Sequence, residues 1–263
     1  MNTERLTSQD LRGRKGRGET ISALTAYDYP SARLLDEAGV DLILVGDSLG
    51  MVVLGQPDTT GVTLADIAHH TRAVARGAQR ALIAADLPIG TYRTPAEAVR
   101  NAQRLIGCGA QAVKLEGGAD QRGQIQAIAN AGIPIIGHIG MLPQRVREEG
   151  GYRIKGKTDW ERTFLLADAH AVAAAGAFAV VLELIARGVA EEITRTVAIP
   201  TIGIGSGPGC DGQILVLHDL IGFFPWFTPK HVQPQGDVAG EVRKAVARYL
   251  ERVRAGESGR QSP

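Results

Sequence analysis

The stretch "DLILVGDSLG" at residues 41–50 determines the fold that we expect for this chain. It places a continuous apolar run, residues 42–45, directly before Gly46 and Asp47. A short apolar run of this kind is typical of a strand that is covered on both faces, as in a parallel sheet. An acid at the end of such a strand requires a structural or chemical reason, because an unpaired buried carboxylate is costly.

Similar apolar runs recur along the chain and alternate with helical segments. The predicted strands are residues 22–28, 42–47, 82–88, 112–117, 133–140, 177–184, 200–207 and 213–222. Glycine follows four of the helices, where it suits the left-handed backbone that ends a helix, at Gly39, Gly109, Gly132 and Gly176. The repeated order of helix, glycine and strand predicts an α/β fold, a (β/α)8 TIM barrel. A doubly wound sheet is the alternative fold. In either fold, the spacing leaves no room for a helix between the last two predicted strands.

We expect one barrel domain with a short N-terminal extension. The predicted boundaries are an extension over residues 1–18, the barrel over residues 19–252 and a disordered tail over residues 253–263. The extension contains a basic run, "LRGRKGRGE" at residues 11–19, which we expect to be solvated or mobile rather than a polyanion site.

Composition narrows the function classes. The net charge of +1 gives no electrostatic reason to expect nucleic acid or an acidic membrane as a partner. No apolar stretch approaches a membrane span, and the first residues have no signal-peptide core. Cys108 and Cys210 have no metal-site spacing and form no disulfide framework, so we expect reduced thiols in a cytoplasmic protein.

Acids recur where predicted strands end. Asp47, Asp86 and Glu116 end the second, third and fourth strands, and Lys114 lies two residues before Glu116, on the same face of its strand. The carboxyl ends of barrel strands meet at one mouth. Carboxylates packed there repel one another unless they are protonated or share a cation, and oxygen ligands favour a hard ion, with Mg²⁺ first. A single acid at a strand end is more often a helix cap or a solvated loop residue.

Two further residues follow the same pattern. Glu183 interrupts the apolar run "VVLELI", so it needs either a partner or a raised pKa suited to a general base. His138 in "IIGHIG" is either a hydrogen-bonded structural histidine or a substrate contact, and the residues alone leave both open.

Several long motifs resemble the ketopantoate hydroxymethyltransferase family, and they cover about residues 19 to 230 in the family's order. They are "LTAYDYPSARLLDEAGVDLILVGDSLGMVVLG", "VTLADIAHHTRAV", "VKLEGG", "IPIIGHIGMLPQ", "GGYRIKGKT" and "IGIGSGPGCDGQILVLHD". One departure is Leu142 in "GMLPQ", where the family has threonine. This change removes no proposed catalytic group.

The resemblance implies a (β/α)8 barrel that assembles as a homo-oligomer, usually a decamer. It implies transfer of a hydroxymethyl group from 5,10-methylenetetrahydrofolate to 3-methyl-2-oxobutanoate through an enolate, with Mg²⁺, in pantothenate biosynthesis. By matching positions, Glu183 is the catalytic base, and the metal acids are Asp47, Asp86 and Glu116. The residues that bind the 2-oxo acid, directly or through the metal, are Asp47, Ser48, Asp86, Lys114 and His138.

Three other functions compete with this interpretation. A Mg²⁺-dependent carbon–carbon lyase would share the acids but typically uses a loop cysteine, which neither cysteine here matches. A nicotinamide-dependent oxidoreductase would need "GIGSGPG" at 203–209 to bind phosphate, although no helix is expected directly after it. A non-catalytic barrel would have no use for Lys114 and Glu183 beside the acids. The segment 148–158, "EEGGYRIKGKT", is either an active-site lid or a subunit contact.

Overall fold

The structure, a computed structural model, describes residues 4–256. Eight parallel strands pair in chain order, and the eighth pairs with the first, so the sheet is a closed barrel. The predicted barrel is confirmed, and the doubly wound alternative is wrong. The strands are β1 (Ile21–Thr25), β2 (Leu42–Val45), β3 (Leu82–Asp86), β4 (Ala112–Glu116), β5 (Ile135–Gly140), β6 (Ala179–Glu183), β7 (Thr201–Ile204) and β8 (Gly212–Leu215).

Helices precede and separate most of these strands. They are α1 (Ser8–Arg17), α2 (Tyr29–Glu37), α3 (Leu49–Val52), α4 (Leu64–Gly77), α5 (Pro95–Ile106), α6 (Arg122–Asn130), α7 (Asp159–Ala174), α8 (Arg187–Thr196), α9 (Leu217–Leu220) and α10 (Val238–Arg254). As the spacing predicts, residues 205–211 connect β7 to β8 without a helix.

Local sequence signals explain where these helices begin and end. The side chains of Thr94 and Thr158 accept a hydrogen bond from the backbone N–H of the third helical residue, which makes them the N-cap residues directly before α5 and α7. The four glycines predicted to end helices all have positive φ, at 87°, 105°, 75° and 100° for Gly39, Gly109, Gly132 and Gly176. A side chain there would be strained, so glycine allows each helix to turn into the next strand.

Strand pairing places the polar residues of the barrel side by side. Asp86 on β3 is opposite Lys114 on β4, and Glu116 on β4 is opposite His138 on β5. Val113 and Leu115 alternate with the polar residues of β4 and are fully buried. The alternation puts Lys114 and Glu116 on the interior face, as the sequence predicts.

The opposite end of the barrel is closed by α1. Leu11 is fully buried and belongs to the same core cluster as residues at the starts of the strands. Arg14 Nη1 lies 2.7 Å from Asp41 Oδ2, and Lys15 Nζ lies 2.7 Å from Asp211 Oδ2; these two acids directly precede β2 and β8. The expectation of a solvated or mobile basic segment is therefore wrong, because the segment is helical and two of its charges, those of Arg14 and Lys15, pair with acids at the amino ends of strands.

The chain forms two compact units. Residues 4–215 contain α1 and the whole barrel, and residues 216–256 contain α9 and α10. The predicted boundaries at residues 18 and 252 stay predictions, and most of the predicted tail, residues 257–263, lies outside the described residues. Over residues 4–256, no helix has both the length and the apolar character needed to cross a membrane.

Candidate active site

The seven residues singled out from the sequence come together at one end of the barrel. Each lies on the last residues of a strand or directly after it, from β2 to β6. They are Asp47, Ser48, Asp86, Lys114, Glu116, His138 and Glu183. The carboxyl ends of the strands are where (β/α)8 enzymes place their active sites.

A chain of charged contacts crosses this end of the barrel. Lys114 Nζ lies 2.7 Å from Asp86 Oδ1 and 3.3 Å from His138 Nδ1. The same imidazole nitrogen is 3.4 Å from Glu116 Oε1, and His138 Nε2 is 3.2 Å from Glu183 Oε2. His138 thus contacts Lys114, Glu116 and Glu183, and its role in binding substrate stays a prediction.

Burial and charge oppose each other at each of these groups. Burial and the Lys114 charge lower the pKa of His138, but Glu116 and Glu183 outweigh them and raise it to about 9. Burial lowers the pKa of Lys114, and the charges of Asp86, Glu116 and Asp47 raise it overall. Both groups are therefore cations at neutral pH, paired with Asp86 and Glu116.

Asp47 has a different electrostatic environment. Its pKa is raised well above the usual range, first by burial and then by the charges of Asp86 and Glu116. Its main-chain N–H donates to Asp86 Oδ2 at 3.0 Å, which brings the two acids together. Across residues 4–256, no Lys, Arg or His lies within ion-pair distance of Asp47. Among the acids Asp47, Asp86, Glu116 and Glu183, Asp47 is the one for which the described residues supply no ion-pair partner.

The donor set fits a hard divalent cation whose coordination shell is completed by other ligands. Asp86 Oδ1 and Glu116 Oε1 are buried and make no hydrogen bond of good geometry, although charged groups lie beside them. Within the described residues, no group of three His, Cys, Asp or Glu side chains is arranged to hold a metal by itself. Mg²⁺ commonly uses only one or two carboxylates and takes its other ligands from water and substrate. Asp47 and Asp86 suit that pattern.

Ser48 begins the turn after β2 and lies beside Tyr27, which follows β1. The two hydroxyl groups are 2.7 Å apart, and Tyr27 is buried. Sequence reasoning identified Ser48 but missed Tyr27. Tyr27 appears in the motif "LTAYDYP", where nothing in the residue types indicates a contact with a serine 21 positions later.

Gln144 and Tyr92 were also missed by sequence reasoning. Gln144 is 2% exposed, and its Nε2 donates to Asp47 Oδ2 at 2.8 Å. The Tyr92 hydroxyl donates to Gln144 Oε1 at 2.6 Å. Gln144 ends the motif "IPIIGHIGMLPQ", but an amide has no titratable chemistry that would single it out.

The segment 148–158 approaches the same end of the barrel. Lys155 forms a parallel bridge with Ile185, just after β6, and its ammonium group pairs with Glu149. Partial burial raises the pKa of Tyr152, and the negative charges of Glu183 and Asp47 add to this effect. The charges of the site's acids therefore affect the pKa of Tyr152, although 48% of the residue is exposed. The lid interpretation stays a prediction.

The competing motifs occupy other positions. Ser206 of "GIGSGPG" is buried, accepts a hydrogen bond from Ile185 N and donates to Leu182 O, so it ties β7 to β6. The loop leads directly into β8 without a helix terminus that could bind phosphate. Cys108 and Cys210 shortly precede β4 and β8, at the end of the barrel opposite the acids.

Solved structures share this fold at low sequence identity. A phosphonopyruvate hydrolase complexed with oxalate and Mg²⁺ superposes with a TM-score of 0.63 at 14% identity, covering 95% of this chain and 88% of that one. A 2,3-dimethylmalate lyase of the PEP mutase/isocitrate lyase superfamily gives 0.62 at 18% identity, covering 98% and 91%. The fold and the site together define a (β/α)8-barrel protein with a buried charged cluster at the carboxyl ends of its strands.

The family is defined by sequence. A family model described as ketopantoate hydroxymethyltransferase matches residues 5–260, and the chain belongs to that family. A 3-methyl-2-oxobutanoate hydroxymethyltransferase of Pyrobaculum islandicum is 55% identical over 92% of each chain. The protein of the same name from Ignicoccus hospitalis is 49% identical over 97% of each. The chain is thus an enzyme of the transferase class, which excludes the scaffold, oxidoreductase and lyase alternatives.

Proposed function

We propose that this enzyme transfers a hydroxymethyl group from 5,10-methylenetetrahydrofolate to 3-methyl-2-oxobutanoate and so forms ketopantoate for pantothenate synthesis. The observation that carries the proposal is the contact chain from Asp86 through Lys114 and His138 to Glu183. It places a carboxylate at one side of the barrel mouth and fixed positive charge beside it. The names of the relatives at about 50% identity support the same reaction.

Glu183 is the proposed base. Its side chain is 13% exposed at the barrel mouth, whereas the Glu116 side chain is 2% exposed. A carboxylate with access to substrate can remove the hydrogen on C3 of the 2-oxo acid. The ion-pair contact with His138 Nε2, 3.2 Å from Glu183 Oε2, limits the orientations of the Glu183 carboxylate during this step.

Asp47 and Asp86, with Glu116 nearby, are the proposed ligands of Mg²⁺. When bound, the cation would draw electron density toward the keto oxygen and make the C3 hydrogen more acidic. Lys114 adds fixed positive charge for the enolate oxygen that develops, and Ser48 can donate its hydroxyl to the substrate carboxylate.

The carbon–carbon bond then forms between C3 of the enolate and the methylene carbon of the folate. The bonds from that carbon to the folate nitrogens break, and water supplies the hydroxyl group of the product. Tetrahydrofolate leaves after its two nitrogens have each gained a proton, one that Glu183 removed from C3 and one released by the water. We also propose a homo-oligomer, a decamer by family resemblance, which light scattering of the purified protein would test.

The decisive test needs no folate. The protein is incubated with 3-methyl-2-oxobutanoate and Mg²⁺ in D₂O, and loss of the C3 proton signal is followed by NMR, with a chelator control. We expect exchange that stops with chelator and returns with added Mg²⁺. Absence of exchange in folded protein, both without folate and with tetrahydrofolate present, would contradict the proposed function.

A further inference from the structure

Gln144 links the ends of four strands of the barrel. It lies in a 3₁₀ turn, Pro143–Arg145, shortly after β5, and it is almost fully buried. Its Nε2 reaches Asp47 Oδ2, next to the end of β2, at 2.8 Å and Leu87 O, next to the end of β3, at 3.1 Å. Its main-chain N–H donates to Glu116 Oε2, at the end of β4, at 3.0 Å.

The orientation of the Gln144 amide is determined by its neighbours. Nε2 faces Asp47 Oδ2 and the main-chain carbonyl oxygen of Leu87, and a carbonyl oxygen can only accept a hydrogen bond. Oε1 faces the Tyr92 hydroxyl at 2.6 Å. Exchanging the amide oxygen and nitrogen would set oxygen against two acceptors, so a single orientation is consistent with all three contacts.

Gln144 therefore donates a hydrogen bond to one oxygen of each of two acids. The side chain uses Asp47 Oδ2, and the main chain uses Glu116 Oε2. The other oxygen of Glu116, Oε1, makes no hydrogen bond of good geometry although it is buried. Gln144 thus holds one oxygen of each carboxylate and does not contact the other; Glu116 Oε1 lies 3.4 Å from His138 Nδ1.

We propose that Gln144 is a positioning residue for the cation site, which holds Asp47 and Glu116 so that their remaining oxygens are available to a divalent cation, with Tyr92 fixing the amide. This inference rests on the proposed function, because it assumes that the acids share Mg²⁺. An amide suits the role better than a charged group. Lysine or arginine would neutralise the acids and compete with the cation, and a carboxylate would repel Asp47.

The test is Gln144→Met, which retains the length of the side chain and the main-chain N–H but removes the amide. Mg²⁺ binding is measured alone, by calorimetry, without substrate. We expect the Mg²⁺ dissociation constant to rise by about 10- to 100-fold, as is common when a group that orients metal ligands is removed. The matched control is Gln124→Met, because Gln124 Nε2 donates to Tyr92 O at 3.3 Å and touches none of the acids. The control is expected to bind Mg²⁺ within twofold of the unaltered protein.

A second variant, Tyr92→Phe, removes only the hydroxyl that fixes the amide. We expect a smaller rise in the Mg²⁺ dissociation constant, about fivefold, which corresponds to the net value of one hydrogen bond. In both variants the C3 proton exchange should recover when Mg²⁺ is raised to saturation, since the loss lies in cation binding. A merely structural role would lower the thermal midpoint without changing the Mg²⁺ dependence.

Three outcomes would overturn the inference. One is Mg²⁺ affinity of folded Gln144→Met within twofold of the unaltered protein, which rejects the positioning role and leaves the proposed function intact. The second outcome applies if Gln144→Met does not fold. In that case, an unchanged Mg²⁺ affinity in Tyr92→Phe rejects the positioning role. The third is a lack of Mg²⁺ binding by the unaltered protein, with substrate present or absent, which rejects the proposed metal site and the positioning role together.

Discussion

His138 and Glu183 lie on neighbouring strands with the imidazole Nε2 3.2 Å from the carboxylate Oε2. The other imidazole nitrogen is 3.4 Å from Glu116 Oε1, so one ring connects the buried acid to the acid at the barrel mouth. Because both contacts involve opposite charges when His138 is protonated, each limits rotation of the carboxylate it touches. The position of Glu183 is therefore determined by the same histidine that pairs with Glu116.

Glu183→Gln should abolish proton removal and preserve the fold. The amide has nearly the same shape but is no base, so we expect C3 exchange of 3-methyl-2-oxobutanoate to fall by about 10²- to 10⁴-fold. NMR in D₂O measures the exchange, and calorimetry checks that Mg²⁺ binding persists. Glu37→Gln, at a surface carboxylate paired with Arg33, is the control. Exchange above a tenth of the normal rate in Glu183→Gln would assign the base elsewhere.

Lys114→Met should leave buried negative charge unpaired. Removing one partner of a buried ion pair commonly costs about 3–5 kcal/mol, so we expect a drop of this size in the free energy of unfolding without Mg²⁺. If the acids bind Mg²⁺, added Mg²⁺ should restore part of the loss. Urea unfolding with and without Mg²⁺ measures both effects, with the exposed residue Lys244 replaced by Met as control. Equal stability of the Lys114 variant and the unaltered protein would show that the pair contributes little.

Asp41 should make the stability depend on acid pH. Burial alone would raise its pKa, but the hydrogen bonds from Arg14 and Ser22 lower it from 3.8 to about 2. A carboxyl whose pKa is depressed by folding stabilises the protein above its unfolded pKa, and this contribution disappears as pH falls toward the folded value. We expect a loss on the order of 2 kcal/mol between about pH 4 and pH 2.

Asp41→Asn removes this titration. Urea unfolding at a series of pH values should therefore show a variant that is less stable at neutral pH but whose stability falls less steeply in acid. Parallel curves for the two proteins over the acid range would rule out the contribution of Asp41.

Leu11→Ala should destabilise the barrel from the end opposite the site. Leu11 is fully buried in the core cluster, and replacing a buried leucine with alanine costs about 2–5 kcal/mol. Chemical unfolding measures the loss, and the neighbouring exposed residue Arg12, replaced by Ala, is the control. Because α1 contacts the amino ends of the strands, we expect the activity of the folded fraction to stay within about twofold. A large change in the Michaelis constant would show that α1 affects the site.

The barrel and most of the charged cluster could be predicted because both depend on local patterns. Each strand is a short apolar run, and in a parallel barrel the carboxyl ends of all these runs lie at one mouth. Acids at the ends of three successive runs, at Asp47, Asp86 and Glu116, could therefore be predicted to lie near one another. The pairing of Glu116 with His138 needed the strand register, which the apolar runs alone do not define.

The remaining features depend on contacts between distant segments. Gln144 reaches Asp47 across 97 positions from an irregular turn, and no spacing rule predicts where a loop amide will point. The basic residues of α1 were misinterpreted for the same reason, since Asp211 is 196 positions from Lys15. Local charge patterns cannot distinguish a solvated basic run from one whose partners lie far away in the chain.

The separation between Lys15 and Asp211 also has a consequence for biosynthesis. Helix α1 is synthesised before the barrel strands. Asp211, the acid that pairs with Lys15, is synthesised 196 residues later, immediately before the last strand. During synthesis on the ribosome, the Lys15 ammonium group therefore cannot pair with Asp211 until nearly the whole barrel has been made. Formation of this ion pair is a late event that marks closure of the ring, and arrested nascent chains that end before residue 211 cannot complete it.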